Sequence, residues 1–268
     1  MKTFKVSMYG LFILFLVTST SATYIQIIPT LSAPDIIQEQ TSEFPLAIVN
    51  NGDESAFNVQ LSLVLPDGFT SSNIFYRELK PKEQRTDKFT VKINDTSILP
   101  GTYVVSILIH YTDANQYPFS SVTSIIINYK TPTISAVYGV MDSVSIQRKP
   151  VEMMLLLRNR GDKPHNLKIK LILPDELIAT NTNIDETLNA NEEKSIPIML
   201  SSQGALVGAV YPITARISYE DNNQHFSAIA RGIVRIEEST YGRSSLTFLA
   251  VGAVILIIVG FFYFKFVK

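Results

Sequence analysis

Residues 36–69 read IIQEQTSEFPLAIVNNGDESAFNVQLSLVLPDGF, and residues 145–177 read SIQRKPVEMMLLLRNRGDKPHNLKIKLILPDEL. Laid over each other they are two copies of one pattern. Ile37 and Gln38 match Ile146 and Gln147. Phe44, Leu46 and Ile48 match Met153, Leu155 and Leu157, and Asn50, Gly52 and Asp53 match Asn159, Gly161 and Asp162. One residue is then lost in the turn of the second copy. Asn58, Leu61, Leu63, Leu65, Pro66 and Asp67 match Asn166, Ile169, Leu171, Leu173, Pro174 and Asp175. Downstream, Tyr103, Ile107, Ile109, Tyr111 and Asp113 match Tyr211, Ala215, Ile217, Tyr219 and Asp221. The offset stays at 108 or 109 residues over the whole comparison, which chance similarity between strand-rich segments would not maintain.

Each copy reads as strands. Leu61, Leu63 and Leu65 alternate with Ser62 and Val64, and Ile169, Leu171 and Leu173 alternate with Lys170 and Ile172. A period of two puts such residues on one face of a pleated sheet. The Asn-x-Gly-Asp runs at 50–53 and 159–162 sit between strands, where glycine can adopt positive φ and aspartate can bond nearby backbone. Leu-Pro-Asp closes the next strand in both copies, because proline cannot donate to a ladder. About seven short strands in each copy predict an immunoglobulin-like sandwich. The expected fold is therefore all-β: a first sandwich over 23–130 and a second over 131–238.

The two ends read differently. Lys2 and Lys5 precede an apolar run from Met8 to Val17, and small residues follow to Ala22, which is the order of a secretory signal peptide over 1–22. Leu246 to Phe264 holds 19 residues without a charge. As a helix that stretch is about 28 Å long, close to the hydrocarbon thickness of a bilayer. The reading is a linker at 239–245, a single transmembrane helix at 246–264 and a cytoplasmic tail at 265–268. The body would then lie outside the cytoplasm, with a lipid bilayer as one partner. Gly252 and Gly260 fall near one face of that helix and are candidate positions for helix pairing.

The turn and strand-end motifs together resemble the cysteine-free Ig-like domains of prokaryotic surface proteins. Those include CARDB-type and NEW3-type modules and archaeal S-layer-related membrane proteins. The resemblance implies a membrane-anchored adhesion, scaffold or accessory module.

Composition excludes several functions. The chain has 23 Lys and Arg against 24 Asp and Glu, so no basic stripe points to nucleic acid. It has no cysteine, so the sandwiches must hold by packing alone. His110, His165 and His225 have no metal-ligand spacing and read as solvated surface residues. Asp113 and Asp221 recur at equivalent hairpins and read as turn caps. No catalytic, metal or cofactor residue is identified, and no cofactor is expected. The Arg160-Gly161-Asp162 triplet occupies the turn position that Asn51-Gly52-Asp53 holds in the first copy. Asn94-Asp95-Thr96 fits an N-glycosylation acceptor at Asn94.

The functional expectation is a non-enzymatic, membrane-anchored, extracytoplasmic interaction or scaffold protein, whose partners are envelope or membrane proteins or a glycan. One alternative is an accessory subunit of a transport, translocation or glycosylation complex, associating through its transmembrane helix. The other is an enzyme acting on envelope polymers from residues gathered at one end of a sandwich.

Overall fold

A computed structural model describes residues 24–95 and 97–238. Seventeen strands run in chain order. In the first repeat they are β1 (Ile27–Leu31), β2 (Thr41–Asn50), β3 (Ala56–Val64), β4 (Phe69–Ser71), β5 (Ile74–Leu79), β6 (Gln84–Ile93), β7 (Gly101–Thr112) and β8 (Pro118–Tyr129). The second repeat holds β9 (Val137–Met141), β10 (Ser143–Ile146), β11 (Val151–Asn159), β12 (His165–Ile172), β13 (Leu177–Ala179), β14 (Asn183–Leu188), β15 (Glu193–Ser202), β16 (Val210–Asp221) and β17 (Gln224–Ile236).

In each repeat two sheets close over an apolar core. The order β1-β2-β6-β4 makes the outer sheet of the first repeat, and β13-β15-β11-β9 that of the second. Cross-strand pairs form the two cores: Phe44 faces Phe89 in the first, and Met153 faces Ile198 in the second. All four side chains are buried, and each full burial is worth roughly 1.5–3 kcal/mol. One core draws on residues from Ile27 to Tyr129, the other on residues from Val137 to Ile236.

The inner strands do not stay separate. They join into one nine-stranded sheet in which β17 meets β7 in parallel, at His225 opposite Gly101. The tandem sandwiches expected from sequence are therefore fused through a shared sheet.

The expectation of a membrane-spanning helix is corrected for the described residues. Every regular element among the described residues is a strand, and none of them forms a helix long and apolar enough to cross a membrane. The apolar residues of the body alternate along paired strands, so they fill sandwich interiors and their backbone groups bond across ladders. Single-pass placement in a cell membrane and a bilayer partner find no support in this fold. The stretch 246–264 with Gly252 and Gly260, the leader at 1–22, the linker at 239–245 and the tail at 265–268 lie outside the described residues.

The residue by which the repeats differ is displaced from where the sequence comparison puts it. Both turns have equal length: Asn50 Nδ2 donates to Glu54 O, and Asn159 Nδ2 to Lys163 O, each four residues on. The extra residue is Asn58, at φ +51°, where the β3 register shifts between Phe57 and Gln60. It is a β-bulge, and it aligns Phe57 rather than Asn58 with Asn166.

Candidate interaction surfaces

The Asn-x-Gly-Asp turn works through its asparagine. Asn50 is fully buried; its amide donates to Glu54 O (2.7 Å) and Leu79 O (3.1 Å), and its Oδ1 accepts from Gly52 N (3.0 Å). Asn159 repeats the arrangement with Lys163 O (2.7 Å), Asn189 O (2.9 Å) and Gly161 N (2.9 Å). Neither Gly52 nor Gly161 has positive φ, contrary to the expectation. A Cβ on Gly52 would lie 2.3 Å from Tyr24 O, so close approach of the backbone excludes a side chain there.

The hairpins also differ. Asp113 Oδ1 accepts from Asn115 N (2.9 Å) and Tyr117 N (2.8 Å), as a cap should. In the second repeat the loop is only Asn222-Asn223, both at positive φ, directly between paired Asp221 and Gln224. That two-residue turn takes its shape from its asparagines.

The seam between the repeats is built of small polar residues. Ser106 Oγ and Ser124 Oγ share a hydrogen bond (2.7 Å), and Ser124 Oγ donates to Thr214 Oγ1 (3.1 Å). Arg231 Nη2 donates to Ser124 O (2.9 Å). Glu176 is buried, and its carboxylate accepts from Ser120 N (2.7 Å) and Ser120 Oγ (2.5 Å). Val104, Val122 and Ile172 are buried yet belong to neither core; their strand positions put them on the same seam.

The histidines read as solvated do not all stay in water. His225 stacks on Tyr103 with ring centroids 3.9 Å apart, bonds Thr102 O through Nδ1 (2.8 Å) and passes its backbone N–H to Pro100 O (2.9 Å). Burial holds its imidazole below the ordinary histidine value, an effect partly offset by the bond to Thr102. His165 lies against Tyr219, and His110 faces Asp175 at 3.2 Å. Asn94 is exposed, and its Nδ2 donates to Thr70 Oγ1 (3.0 Å); Thr96 lies outside the described residues.

Two surfaces stand out. A cleft of about 820 Å³ opens where the repeats meet. Lys168, Lys170, Arg216 and Ser227, from the second repeat, line it, and Asp67, Ile98 and Tyr103 face them from the first. The other surface is the outward face of β13-β15-β11-β9. It carries Val140 on β9, Met154 and Leu156 on β11, Pro197 and Met199 on β15, and Ile178 on β13. Ladder registers set Val140 beside Leu156 and Met154 beside Pro197. Val140, Ile178 and Met199 are 63%, 45% and 39% exposed. By the same registers the first repeat has Thr30, Pro45, Ala47, Lys88, Thr90 and Thr70 at these six places. This contrast was visible in the sequence, but only once the repeat was aligned strand by strand.

The described residues hold no cysteine and no group of three or more His, Cys, Asp or Glu side chains able to hold a metal.

Residues 36–112 match the sequence profile of the NPCBM-associated, NEW3 domain of alpha-galactosidase. The match covers the first repeat only. The expected kinship with CARDB-type and archaeal S-layer-related membrane proteins is corrected to this narrower likeness. No curated protein sequence matches the chain. Among solved structures, similar chains include a protein of unknown function from Porphyromonas gingivalis W83 (16% identity, TM-score 0.30, 76% of this chain and 98% of that one). The periplasmic chaperone SfaE aligns at 15% identity and TM-score 0.32, over 78% of this chain and all of that one. A Salmonella alpha-2-macroglobulin aligns at 10% identity and TM-score 0.33, over 80% of this chain but 16% of that one. TM-scores this low transfer no partner or activity.

Proposed function

We propose that this chain is a non-enzymatic interaction module that docks another protein on the outward face of its second sandwich. The observation that carries this reading is the apolar stripe Val140, Met154, Leu156, Pro197, Met199 and Ile178, set against a first repeat that holds three threonines, a lysine, a proline and an alanine at the equivalent places. Both faces cover similar cores, so folding alone gives no reason for them to differ. Contiguous exposed apolar surface is a mark of protein contact. The same sheet ends at β9, which among the described residues has a strand neighbour on one side only, β11. An open edge of this kind lets a partner strand pair and continue the sheet.

The test uses photo-crosslinking residues placed singly in the full chain at Val140 and Leu156, and at Lys88 as a control, in the native host. A discrete protein adduct at Val140 or Leu156 that is absent at Lys88 supports the reading. Leu156→Lys should remove the Val140 adduct while leaving the unfolding midpoint unchanged within error. Equal labelling at all three sites, or an adduct that survives Leu156→Lys, sinks it.

A further inference from the structure

We infer that the floor of the cleft between the repeats is a binding site for an oxyanion, carried by a polar small molecule and held on Arg216. Arg216 lies on β16, on the face of the sheet that looks away from the core of the second repeat. Its Nη1 is buried without a hydrogen-bond partner, and so is Ser227 Oγ. The ladder sets Ser227 opposite Ser218 and Ile229 opposite Arg216, so both unpartnered groups occupy one small area of the floor. A buried guanidinium N–H left unpaired costs on the order of 1–3 kcal/mol, and a carboxylate or phosphate oxygen placed there would recover it.

The surrounding charges fit one oxyanion rather than a polyanion. Lys168 and Lys170, on β12, pair in register with Ser218 and Arg216. None of these three cations makes an ion pair among the described residues. Asp67, Asp95, Asp185 and Glu220 also line the cleft. Asp95 is engaged by Ser97, through its N–H (2.8 Å) and its Oγ (2.7 Å). Burial lowers the pKa of Arg216, and Asp67 opposes this only in part. The cation cluster is specific to the second repeat: Gln60, Ser62 and Leu108 occupy the positions of Lys168, Lys170 and Arg216 in the first. A cleft of about 820 Å³ is of the size that holds a small molecule.

The experiment labels arginine with ¹⁵N in the full chain and titrates inorganic phosphate, and separately citrate, at ionic strength held constant with chloride. The Arg216 guanidinium resonance should shift saturably, with half-saturation below about 10 mM for at least one ion. A phosphate response points to a phosphoryl ligand, and a citrate response to a carboxylate. Arg216→Leu, which installs the first repeat's residue, should weaken binding at least about tenfold by thermal shift, while Arg158→Leu should not. Lys170→Ser, on the exposed rim, should weaken it about threefold, and it serves if Arg216→Leu does not fold. No saturable response to either ion in the wild type, or undiminished binding in Lys170→Ser together with Arg216→Leu where that variant folds, overturns the inference.

Discussion

Replacing Asn50 by alanine removes a side chain that closes three short main-chain bonds and a longer fourth from Gln26 N (3.5 Å). Its close partners are Leu79 O and Glu54 O, which accept, and Gly52 N, which donates. Leu79 and Gly52 are buried, so water cannot readily take the place of the amide. Leaving a buried polar group unpaired costs about 1–3 kcal/mol, and Glu54 O is only partly covered. The sum is about 3–5 kcal/mol, a large share of the 5–15 kcal/mol that holds an ordinary domain together. Packing alone makes a different forecast, because Asn50→Leu keeps most of the volume and adds apolar surface. On the hydrogen-bond argument Leu is as damaging as Ala, and Asn50→Asp is little better, since a carboxylate cannot donate to two carbonyls. Urea unfolding of the full chain, followed by circular dichroism with the m-value checked for constancy, measures all three variants. Asn50→Leu within about 1 kcal/mol of wild type would refute the reasoning and return the turn to simple packing.

Further predictions concern the other tight points of the fold. Gly52→Ala should destabilise by about 2 kcal/mol in the same assay, because its Cβ meets backbone at 2.3 Å; Gly204→Ala meets nothing within 4 Å and should cost about 1 kcal/mol for its φ of +78°. Glu176→Ala strips the acceptor from Ser120 N and Oγ at the seam. Calorimetry should then show the melting of the two repeats separating into two transitions, with a loss of about 2–3 kcal/mol. His225 is held below the ordinary value of about 6.5, so between that value and its folded one the unfolded chain binds a proton that the folded chain does not. Stability therefore falls as pH drops through that window. His225→Phe, which keeps a ring over Tyr103 but does not titrate, should flatten the change in melting temperature between about pH 7.5 and about pH 5.5. Carboxylates held low by hydrogen bonds, Glu83 and Glu186, lose their contribution only at more acid pH, below their ordinary range.

What the sequence exposes depends on what a strand's alternation can encode. Leu61, Ile107 and Ile109 and their repeats point inward at every second position, and that period is readable without a structure. The seam is not readable in this way. Ser106, Ser120, Ser124 and Thr214 alternate with core residues as solvent-facing residues would, and only a second sandwich against that face buries them. Their one sequence signal is size: they are small where an exposed strand usually carries Lys, Glu or Arg. The burial of His225 is hidden for the same reason, since a residue following a hairpin is ordinarily in water. Sequence does not locate the bulge at Asn58, because one unmatched residue can sit anywhere between two aligned blocks and only the ladder pairs decide where.

The repeat supplies its own control. Where both copies must bury the same face, they keep the same class of residue: Phe44 and Met153, Leu46 and Leu155, Tyr103 and Tyr211. Where a face needs only to meet water, either copy could carry any polar residue at little cost. On its outer sheet, and beside the seam on its inner sheet, the second copy departs from the first in opposite senses. Its outer sheet trades threonine and lysine for Met199, Pro197, Ile178 and Val140, which costs solubility unless something covers them. Its inner sheet trades Leu108 for Arg216 at the floor of the cleft, which costs the burial of a guanidinium unless something pairs with it. Each change is unfavourable to the isolated chain and becomes favourable only with an occupant. Two costs of opposite polarity, both confined to one repeat and facing opposite ways, are better explained by two ligands than by loose packing. Restoring the first repeat's residues on either face should therefore stabilise the free chain even as it removes binding there.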